Sequence, residues 1–205
     1  MRNPDNVARA LTATTKMVYT ETPTNPMMTI TDLAAVATIA HGADALMVVD
    51  NTFASPYLQQ PITLGADIVV HSATKYLGGH SDLVHGIVAT KTSELAEQLH
   101  FIQNAAGAVP GPLESWLCLR SAKTLHLRME AHSSNALALA EILDTHSKVQ
   151  AVHYPGLKSH THHSIAARQM QAFGGMISIE LGSLAAAQKF TAKTKLFTLA
   201  ESLGG

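Results

Sequence analysis

A single lysine lies among small hydroxyl residues directly after an apolar run of the sequence. The segment SATKYLGGHSD at 72–82 follows the apolar run DIVVH and carries Lys75 just before a glycine pair. An isolated lysine is most often a solvated surface charge. A partly desolvated lysine amine can instead lose its proton and form a Schiff base with an aldehyde. The residues near Lys75 must decide between these two interpretations.

The polar residues that accompany Lys75 are those that pyridoxal phosphate requires. Ser72 and Thr74 supply hydroxyl donors suited to a phosphate group, and Asp50 ends the apolar run ALMVVD. A carboxylate at that position can hold a pyridine nitrogen in its protonated form, which the cofactor needs to act as an electron sink. The combination favours a pyridoxal-phosphate site over a surface lysine.

An alternation of short apolar runs and helical patterns must bring these residues together. We predict strands at 16–21, 45–50, 67–71 and 86–91, with a helix at 29–42 joining the first two. A strand, a helix and a strand in this order form a right-handed unit with parallel strands. Because ligands bind beyond the carboxyl ends of parallel strands, the segment TPTNP, Asp50 and the lysine segment should meet at one edge of the sheet.

The remainder of the chain predicts long helices followed by a smaller α/β unit. Helical patterns cover 92–107 and 112–147 around a proline-glycine break. Beyond Val149 we predict strands at 149–154 and 176–181 with helices at 163–174 and 183–193. The change from long helices to alternating short strands and helices indicates the start of a second, smaller domain.

Composition limits the classes of partner. Apolar residues make up 46% of the 205 residues, charged residues 14%, and the formal net charge is −1. These values argue against nucleic-acid and membrane partners and favour a small polar substrate. Cys118 is the one cysteine and cannot form an internal disulfide, which is typical of a reducing compartment such as the cytoplasm. We also find neither an apolar stretch of about 20 residues nor the pattern of a signal peptide.

Two further motifs have structural explanations. The histidines of SHTHHS, at 160, 162 and 163, lack a neighbouring cysteine or carboxylate, so we expect solvent contact or helix capping and no metal. Gly78-Gly79 resembles a nucleotide-binding loop, but no GxGxxG or GK[ST] pattern surrounds it. We therefore expect a tight turn near the cofactor.

The sequence also resembles the Cys/Met-metabolism pyridoxal-phosphate enzymes, the family of cystathionine γ-synthase, cystathionine γ-lyase and methionine γ-lyase. The segments that carry the resemblance are VYTETPTNP, VVDNTFASPYLQQPITLGAD, VVHSATKYLGGHSD, KTLHLRM, YPGL and LFTLAESLGG. The resemblance implies an aspartate-aminotransferase-like α/β fold with a mostly parallel sheet between helices. It places part of the large cofactor domain at 1–125, and a linking helix with part of the C-terminal α/β domain at 126–205.

The resemblance also implies roles for the residues at the sheet edge. Lys75 would bind pyridoxal 5'-phosphate covalently and act in catalysis, and Asp50 would pair with the pyridinium nitrogen. Ser72 and Thr74 would bind the phosphate, and Thr52 would lie beside the cofactor ring.

Three more residues are implied in the same way. Asn25 would hydrogen-bond the ring oxygen of the cofactor, and Ser202 would help bind the α-carboxylate of the substrate. Glu201 would influence substrate choice. The implied activity is γ-elimination or γ-replacement on a sulfur amino acid or homoserine ester, most simply that of cystathionine γ-lyase in trans-sulfuration. Cystathionine γ-synthase and methionine γ-lyase are the enzymatic alternatives.

Family members are normally much longer and lie in homodimers or homotetramers with active sites between subunits. This sequence lacks their amino-terminal glycine turn and stacking tyrosine, and the arginines expected for phosphate and carboxylate. We therefore expect it to correspond to the middle of such an enzyme, truncated at both ends. A non-catalytic chain that retains the fold is the alternative.

Overall fold

The structure is a computed structural model that describes residues 3–205. Its first half contains the predicted strands and the predicted helix between the first two, together with short helices that were not predicted. These elements are α1 (Pro4–Ala10), β1 (Met17–Glu21), α2 (Leu33–Gly42), β2 (Leu46–Asp50), α3 (Ser55–Leu58), a 3-10 helix (Pro61–Leu64), β3 (Ile68–Ser72) and β4 (Gly86–Thr90).

The four strands form one sheet in the order β1-β2-β3-β4. β1, β2 and β3 are parallel, with Glu21 opposite Asp50 and Asp50 opposite Val70, so the carboxyl ends of the three strands lie at one edge. This confirms the mostly parallel α/β sheet. β4 runs antiparallel to β3, with Ser72 opposite Gly86. The chain between them contains no crossover helix, which a parallel arrangement would require.

The helix α2 fixes one face of this sheet. Its apolar residues Leu33, Val36, Ala37 and Ala40 recur at helical spacing and are buried in one cluster with apolar residues of β1, β2 and β3. Asp32 caps the helix, since its carboxylate accepts a hydrogen bond from Ala35 N at 3.2 Å. The strand ends that carry the polar residues are thereby held in a packed layer.

The apolar pattern at 112–147 forms two helices separated by a short turn. After α4 (Ser93–Ala106) come α5 (Pro112–Ala122) and α6 (Leu125–Asp144). Thr124 leaves the helical conformation at φ −108 and ψ 6. The Ser121 carbonyl accepts hydrogen bonds from Thr124 Oγ1 and from Arg128 Nη2, so side chains satisfy this carbonyl at the break.

The last quarter of the chain forms β5 (Ala151–His153), α7 (His163–Gln169), β6 (Ser178–Glu180) and α8 (Leu184–Thr191). β5 and β6 pair antiparallel as a separate two-stranded sheet. Tyr154 is fully buried with Ala136 and Ala140 of α6, which attaches this part to the long helix. The domain boundary after residue 125 stays a prediction. No helix within residues 3–205 combines the length and apolar character needed to cross a membrane.

Candidate active site

A chain of hydrogen bonds joins the ends of β2 and β3. Thr52 N donates to Asp50 Oδ1 at 3.0 Å, and Ser72 N donates to Thr52 Oγ1 at 2.8 Å. All three residues are half-buried. The structure therefore brings together a carboxylate and two hydroxyl residues at the carboxyl edge of the parallel strands, as the sequence predicts.

Lys75 lies in a tight turn that closes on itself directly after β3. Lys75 N donates to Ser72 O at 3.1 Å, Gly78 N to Ala73 O at 2.7 Å, and Gly79 N to Lys75 O at 2.7 Å. Gly79 has a φ of 63°, in the left-handed region that favours glycine. The expected turn at the glycine pair is thus present.

The Lys75 amine contacts the end of the chain. Lys75 Nζ donates a hydrogen bond to Ser202 Oγ at 3.0 Å, across 127 residues of sequence. Leu203 packs against the core cluster that contains Ala73, Tyr76 and Leu77, so the tail lies on the lysine turn. Two of the predicted site residues, one for the cofactor and one for the substrate, are therefore in direct contact.

Thr74 is engaged by the backbone of the loop that leads to β4. Its Oγ1 accepts a hydrogen bond from His85 N at 3.0 Å. The same hydroxyl donates a longer hydrogen bond to His85 O, at 3.4 Å. These contacts orient the hydroxyl, and its role toward a phosphate stays a prediction.

Asn25 is connected to the site through Glu21. The Glu21 carboxylate accepts a hydrogen bond from Asn25 N at 2.9 Å, and Glu21 lies opposite Asp50 in the β1–β2 register. Burial raises the pKa of Glu21, the Asn25 hydrogen bond lowers it in part, and the charge of Asp50 raises it further. Asn25 itself is exposed.

Glu201 is exposed. Among residues 3–205, no hydrogen bond or ion pair joins its side chain to the other predicted site residues. Its placement depends on its neighbour Ser202, which Lys75 contacts.

Tyr19 is a neighbour of the site that the sequence analysis missed. Burial, the negative charge of Asp50 and a hydrogen bond to Asp50 raise the pKa of the Tyr19 hydroxyl. Tyr19 lies opposite Val48 in the register, two residues from the Glu21–Asp50 pair. Side chains two residues apart lie on the same face of a strand, so Tyr19 shares a face with Glu21. Because Glu21 lies opposite Asp50, this spacing could have predicted the tyrosine ring near Asp50.

His71 was also missed. Its side chain is 5% exposed, and within the described residues its Nδ1 has no hydrogen-bond partner. Burial lowers the pKa of His71 to about 4, against a smaller raising effect from Asp50 and the Asn51 backbone. The imidazole is therefore neutral near pH 7, immediately before Ser72. Strand alternation places it on the face opposite to Ser72.

The histidines near 160 make structural contacts. His160 Nδ1 accepts a hydrogen bond from His162 N at 3.3 Å, and the His160 ring also bonds to the Met28 backbone. His163 Nδ1 donates to Pro155 O at 2.8 Å. His162 is the N-cap of α7 but its side chain makes no capping bond, so the capping expected of this cluster is not observed. Within residues 3–205, no three metal-binding side chains are grouped as a metal site.

The donor set fits pyridoxal phosphate. Across residues 3–205, neither Lys75 nor Asp50 forms an ion pair. A lysine amine can condense with an aldehyde, and a carboxylate without a cationic partner can pair with a protonated ring nitrogen. Lys75 could hold the aldehyde carbon, Asp50 the ring nitrogen, and Ser72 and Thr74 the phosphate.

Comparison with known proteins gives close relatives over the whole chain. A cystathionine beta-lyase of Lactococcus lactis is 57% identical over 205 residues, which are 100% of this chain and 54% of that protein. A cystathionine gamma-synthase of Mycobacterium tuberculosis is 54% identical over 202 residues, 98% of this chain and 52% of that protein. The chain thus spans about half the length of these relatives.

A solved structure has the same fold. The crystal structure of cystathionine gamma-lyase from Lactobacillus plantarum complexed with L-serine matches with a TM-score of 0.97 and 50% identity, covering 100% of this chain and 54% of that one. The family model described as "Cys/Met metabolism PLP-dependent enzyme" matches residues 1–205. The resemblance noted in the sequence is confirmed, and the chain belongs to the Cys/Met-metabolism family of pyridoxal-phosphate-dependent enzymes.

Proposed function

We propose that this chain carries the lysine-bearing half of an enzyme that cleaves or replaces the γ-substituent of cystathionine or of a related amino acid. The observation that carries the proposal is the Lys75 amine, 3.0 Å from Ser202 Oγ at the sheet edge where Asp50 ends β2. Cystathionine γ-lyase activity is the specific form that we favour.

Each residue has a separate task in this proposal. Lys75 binds pyridoxal phosphate covalently through Nζ, and Asp50 holds the proton on the ring nitrogen. The hydroxyls of Ser72 and Thr74 bind the phosphate, and Thr52 supports both strands by bonding to Asp50 and Ser72. Ser202 orients the Lys75 amine through the hydrogen bond that it accepts.

Three residues complete the assignment. Asn25, held by Glu21, bonds to the cofactor's ring oxygen. Ser202, once Lys75 moves, bonds to the substrate α-carboxylate, and Glu201 lies beside it. These roles rest on the matching motifs of the family.

The chemistry follows from the lysine amine. The bound cofactor supplies an electron sink for charge that develops at the α-carbon of the substrate. The Lys75 amine, when free, would act as base and acid, moving protons between the substrate's α- and β-carbons. The γ-substituent then leaves. Water completes an elimination that gives cysteine, an α-keto acid and ammonia from cystathionine, whereas attack by a thiol gives replacement.

The first test is covalent attachment at Lys75. The chain is mixed with pyridoxal phosphate, treated with borohydride and digested, and the labelled peptide is identified by mass spectrometry. We expect the label on Lys75, and its loss in Lys75→Ala with little change in thermal stability, since within residues 3–205 the half-buried side chain forms a hydrogen bond only through its amine. Lys158→Ala, which changes an exposed lysine, is the control. A label that persists in Lys75→Ala would overturn the assignment.

Turnover separates the enzyme from a non-catalytic chain. Release of keto acid from cystathionine, methionine and a homoserine ester is measured with the cofactor-loaded chain. Keto acid from cystathionine supports the lyase, and product formed only with an added thiol supports the synthase. A yellow, labelled protein without any turnover would instead support a non-catalytic chain that retains the fold.

Glu201 is the basis for favouring cystathionine over methionine. A carboxylate beside the substrate can pair with the distal ammonium of cystathionine, which methionine lacks. An exposed pair contributes about 1 kcal/mol, or roughly fivefold in preference. We expect Glu201→Val to lower kcat/KM for cystathionine relative to methionine by about that factor, measured by keto acid release. An unchanged ratio would leave Glu201 without a role in substrate choice.

A further inference from the structure

A side chain from outside the Lys75 turn bonds to one of the turn's carbonyls. The carbonyls of Ala73 and Lys75 accept hydrogen bonds from Gly78 N and Gly79 N within the turn. The Tyr76 carbonyl, directly after Lys75, accepts a hydrogen bond from Arg128 Nη1 at 2.6 Å. A residue of α6, 52 positions away, therefore anchors the turn that carries the reactive amine.

Arg128 uses its whole guanidinium group in this contact. Nη2 donates to Ser121 O at 3.0 Å, and Nε donates to Thr124 Oγ1 at 3.3 Å. The acceptor oxygens of Tyr76, Ser121 and Thr124 surround the planar guanidinium group. A lysine ammonium cannot reproduce this arrangement of donors. The guanidinium thus joins the lysine turn to the break between α5 and α6.

A second set of contacts joins the same two segments. His80 Nδ1 lies 2.7 Å from Gly78 O, and Ser121 Oγ lies 3.2 Å from His80 Nδ1. A Cβ atom added at Gly79 would collide with Arg128 Nη1, so the glycine leaves room for the guanidinium. The absence of a side chain at Gly79 therefore allows the Arg128 guanidinium to approach the turn closely.

The charge of Arg128 has no acidic partner. Among residues 3–205, its side chain bonds to two carbonyls and a hydroxyl and forms no ion pair. Burial lowers the pKa of Arg128, and the group stays charged because an arginine pKa is far above neutrality. Hydrogen bonds from a charged donor are stronger than neutral ones, which suits a residue that anchors a turn.

We propose that Arg128 is a positioning residue that fixes the Lys75 turn so that the amine is presented to pyridoxal phosphate. The proposal rests on the proposed role of Lys75. Arg128 acts through the Tyr76 carbonyl and the backbone of the turn. When the guanidinium hydrogen bonds are lost, the turn can move. The Lys75 amine then spends less time in the orientation from which it can attack the aldehyde.

Arg128→Lys and Arg128→Ala test the proposal, with Arg120→Lys and Arg120→Ala as matched controls. Arg120 lies on α5, is exposed and makes none of these contacts. The rate constant for covalent attachment of pyridoxal phosphate is followed by absorbance well below the melting temperature, with attachment at Lys75 checked by mass spectrometry. We expect both Arg128 variants to slow attachment about tenfold, since hydrogen bonds to a charged group are lost. The Arg120 variants should match the unchanged chain.

Hydrogen exchange supplies a readout that needs no cofactor. In the unloaded chain, the Gly78 and Gly79 amides should exchange faster in both Arg128 variants and not in the Arg120 variants. Unchanged exchange in the Arg128 variants overturns the proposal. If the unchanged chain fails to label Lys75, the proposed function fails, while the exchange still shows whether Arg128 holds the turn.

Chemical rescue separates positioning from general stability. Methylguanidinium at millimolar concentration should restore part of the attachment rate of Arg128→Ala and leave that of the Arg120 variants unchanged. A purely stabilising residue would lower the melting temperature without slowing attachment in the folded chain. That result, or equal rates for Arg128→Lys and the unchanged chain, would contradict the proposal.

Discussion

His71 is kept neutral by its surroundings, one residue before the predicted phosphate-binding Ser72. Its folded pKa is about 4, whereas an unfolded histidine titrates near its usual pKa of about 6.5. The unfolded chain therefore takes up a proton first as the pH falls. The stability contributed by neutral His71 is complete above pH 6.5 and is lost as the pH falls toward about 4.

The direction of this pH dependence of stability gives a prediction for His71→Phe. Between pH 7 and pH 4 the unchanged chain should lose about 3 kcal/mol of unfolding free energy from this group, because one pKa unit corresponds to about 1.4 kcal/mol. The phenylalanine variant should lack this part of the pH dependence. Urea unfolding at a series of pH values measures it, with the exposed His100→Gln as the control. Parallel curves for the unchanged chain and His71→Phe would contradict the prediction.

At the scale of the elements, a buried amide network holds the loop after β2. Asn51 Nδ2 donates to Ser55 O and Gln59 O, and Gln59 Nε2 donates to Asn51 Oδ1 and Thr22 O. Gln169 of α7 donates to Gln59 Oε1 at 3.0 Å. The network ties the two loops beyond β1 and β2 to the C-terminal part of the chain.

Gln59→Leu should destabilise the fold. The leucine fills a similar volume but removes the Gln59 hydrogen bonds to Asn51 Oδ1, Thr22 O and Gln169 Nε2, at a cost of about 2–3 kcal/mol. Thermal and urea unfolding measure the loss. Gln60→Leu, at an exposed neighbouring position, should change the unfolding free energy by less than about 0.5 kcal/mol. Equal stabilities for the two variants would show that the network contributes little.

The periodic elements could be predicted from the sequence, and their mutual arrangement only in part. Short apolar runs place β1, β2 and β3 correctly, and the polar residues that end them meet as expected. The direction of β4 depends on how the chain at 73–85 folds, and the helix break at Thr124 depends on carbonyl contacts with Arg128. Such contacts between distant residues leave no periodic signal.

The same limit applies to the site. Lys75, Asp50 and Ser72 could be predicted because Asp50 and Ser72 end strands and Lys75 follows one closely, so position along the chain fixes position at the sheet edge. Tyr19 and Arg128 reach the site through side-chain direction and tertiary packing. Gly79 could be predicted as a turn residue, but its fit against Arg128 could not.

At the scale of the whole molecule, α4 and α5 each carry exposed apolar side chains. Phe101, Leu113, Trp116 and Leu119 are each more than half exposed, and α4 has no buried residue. Large exposed apolar patches are typical of protein–protein contacts. We therefore expect this surface to contribute to self-association as a homodimer or homotetramer.

Trp116→Glu tests this expectation. A charge at the centre of an apolar contact should weaken association by at least about tenfold, measured by sedimentation velocity over a range of concentrations. Leu184→Glu is the control, since Leu184 is 75% exposed and belongs to α8 rather than to α4 or α5. A chain that stays monomeric at high concentration, or equal effects of the two variants, would contradict it.

The separation of Lys75 and Ser202 along the chain affects the order in which contacts form during synthesis. The lysine turn closes through residues 72–79, which leave the ribosome together, whereas Arg128 follows 52 residues after Tyr76 and Ser202 follows 127 residues after Lys75. Local contacts form early and distant ones late, and domains fold during synthesis from the amino-terminal side. A nascent chain therefore closes its lysine turn first, gains the arginine anchor next, and receives the serine that holds the amine last.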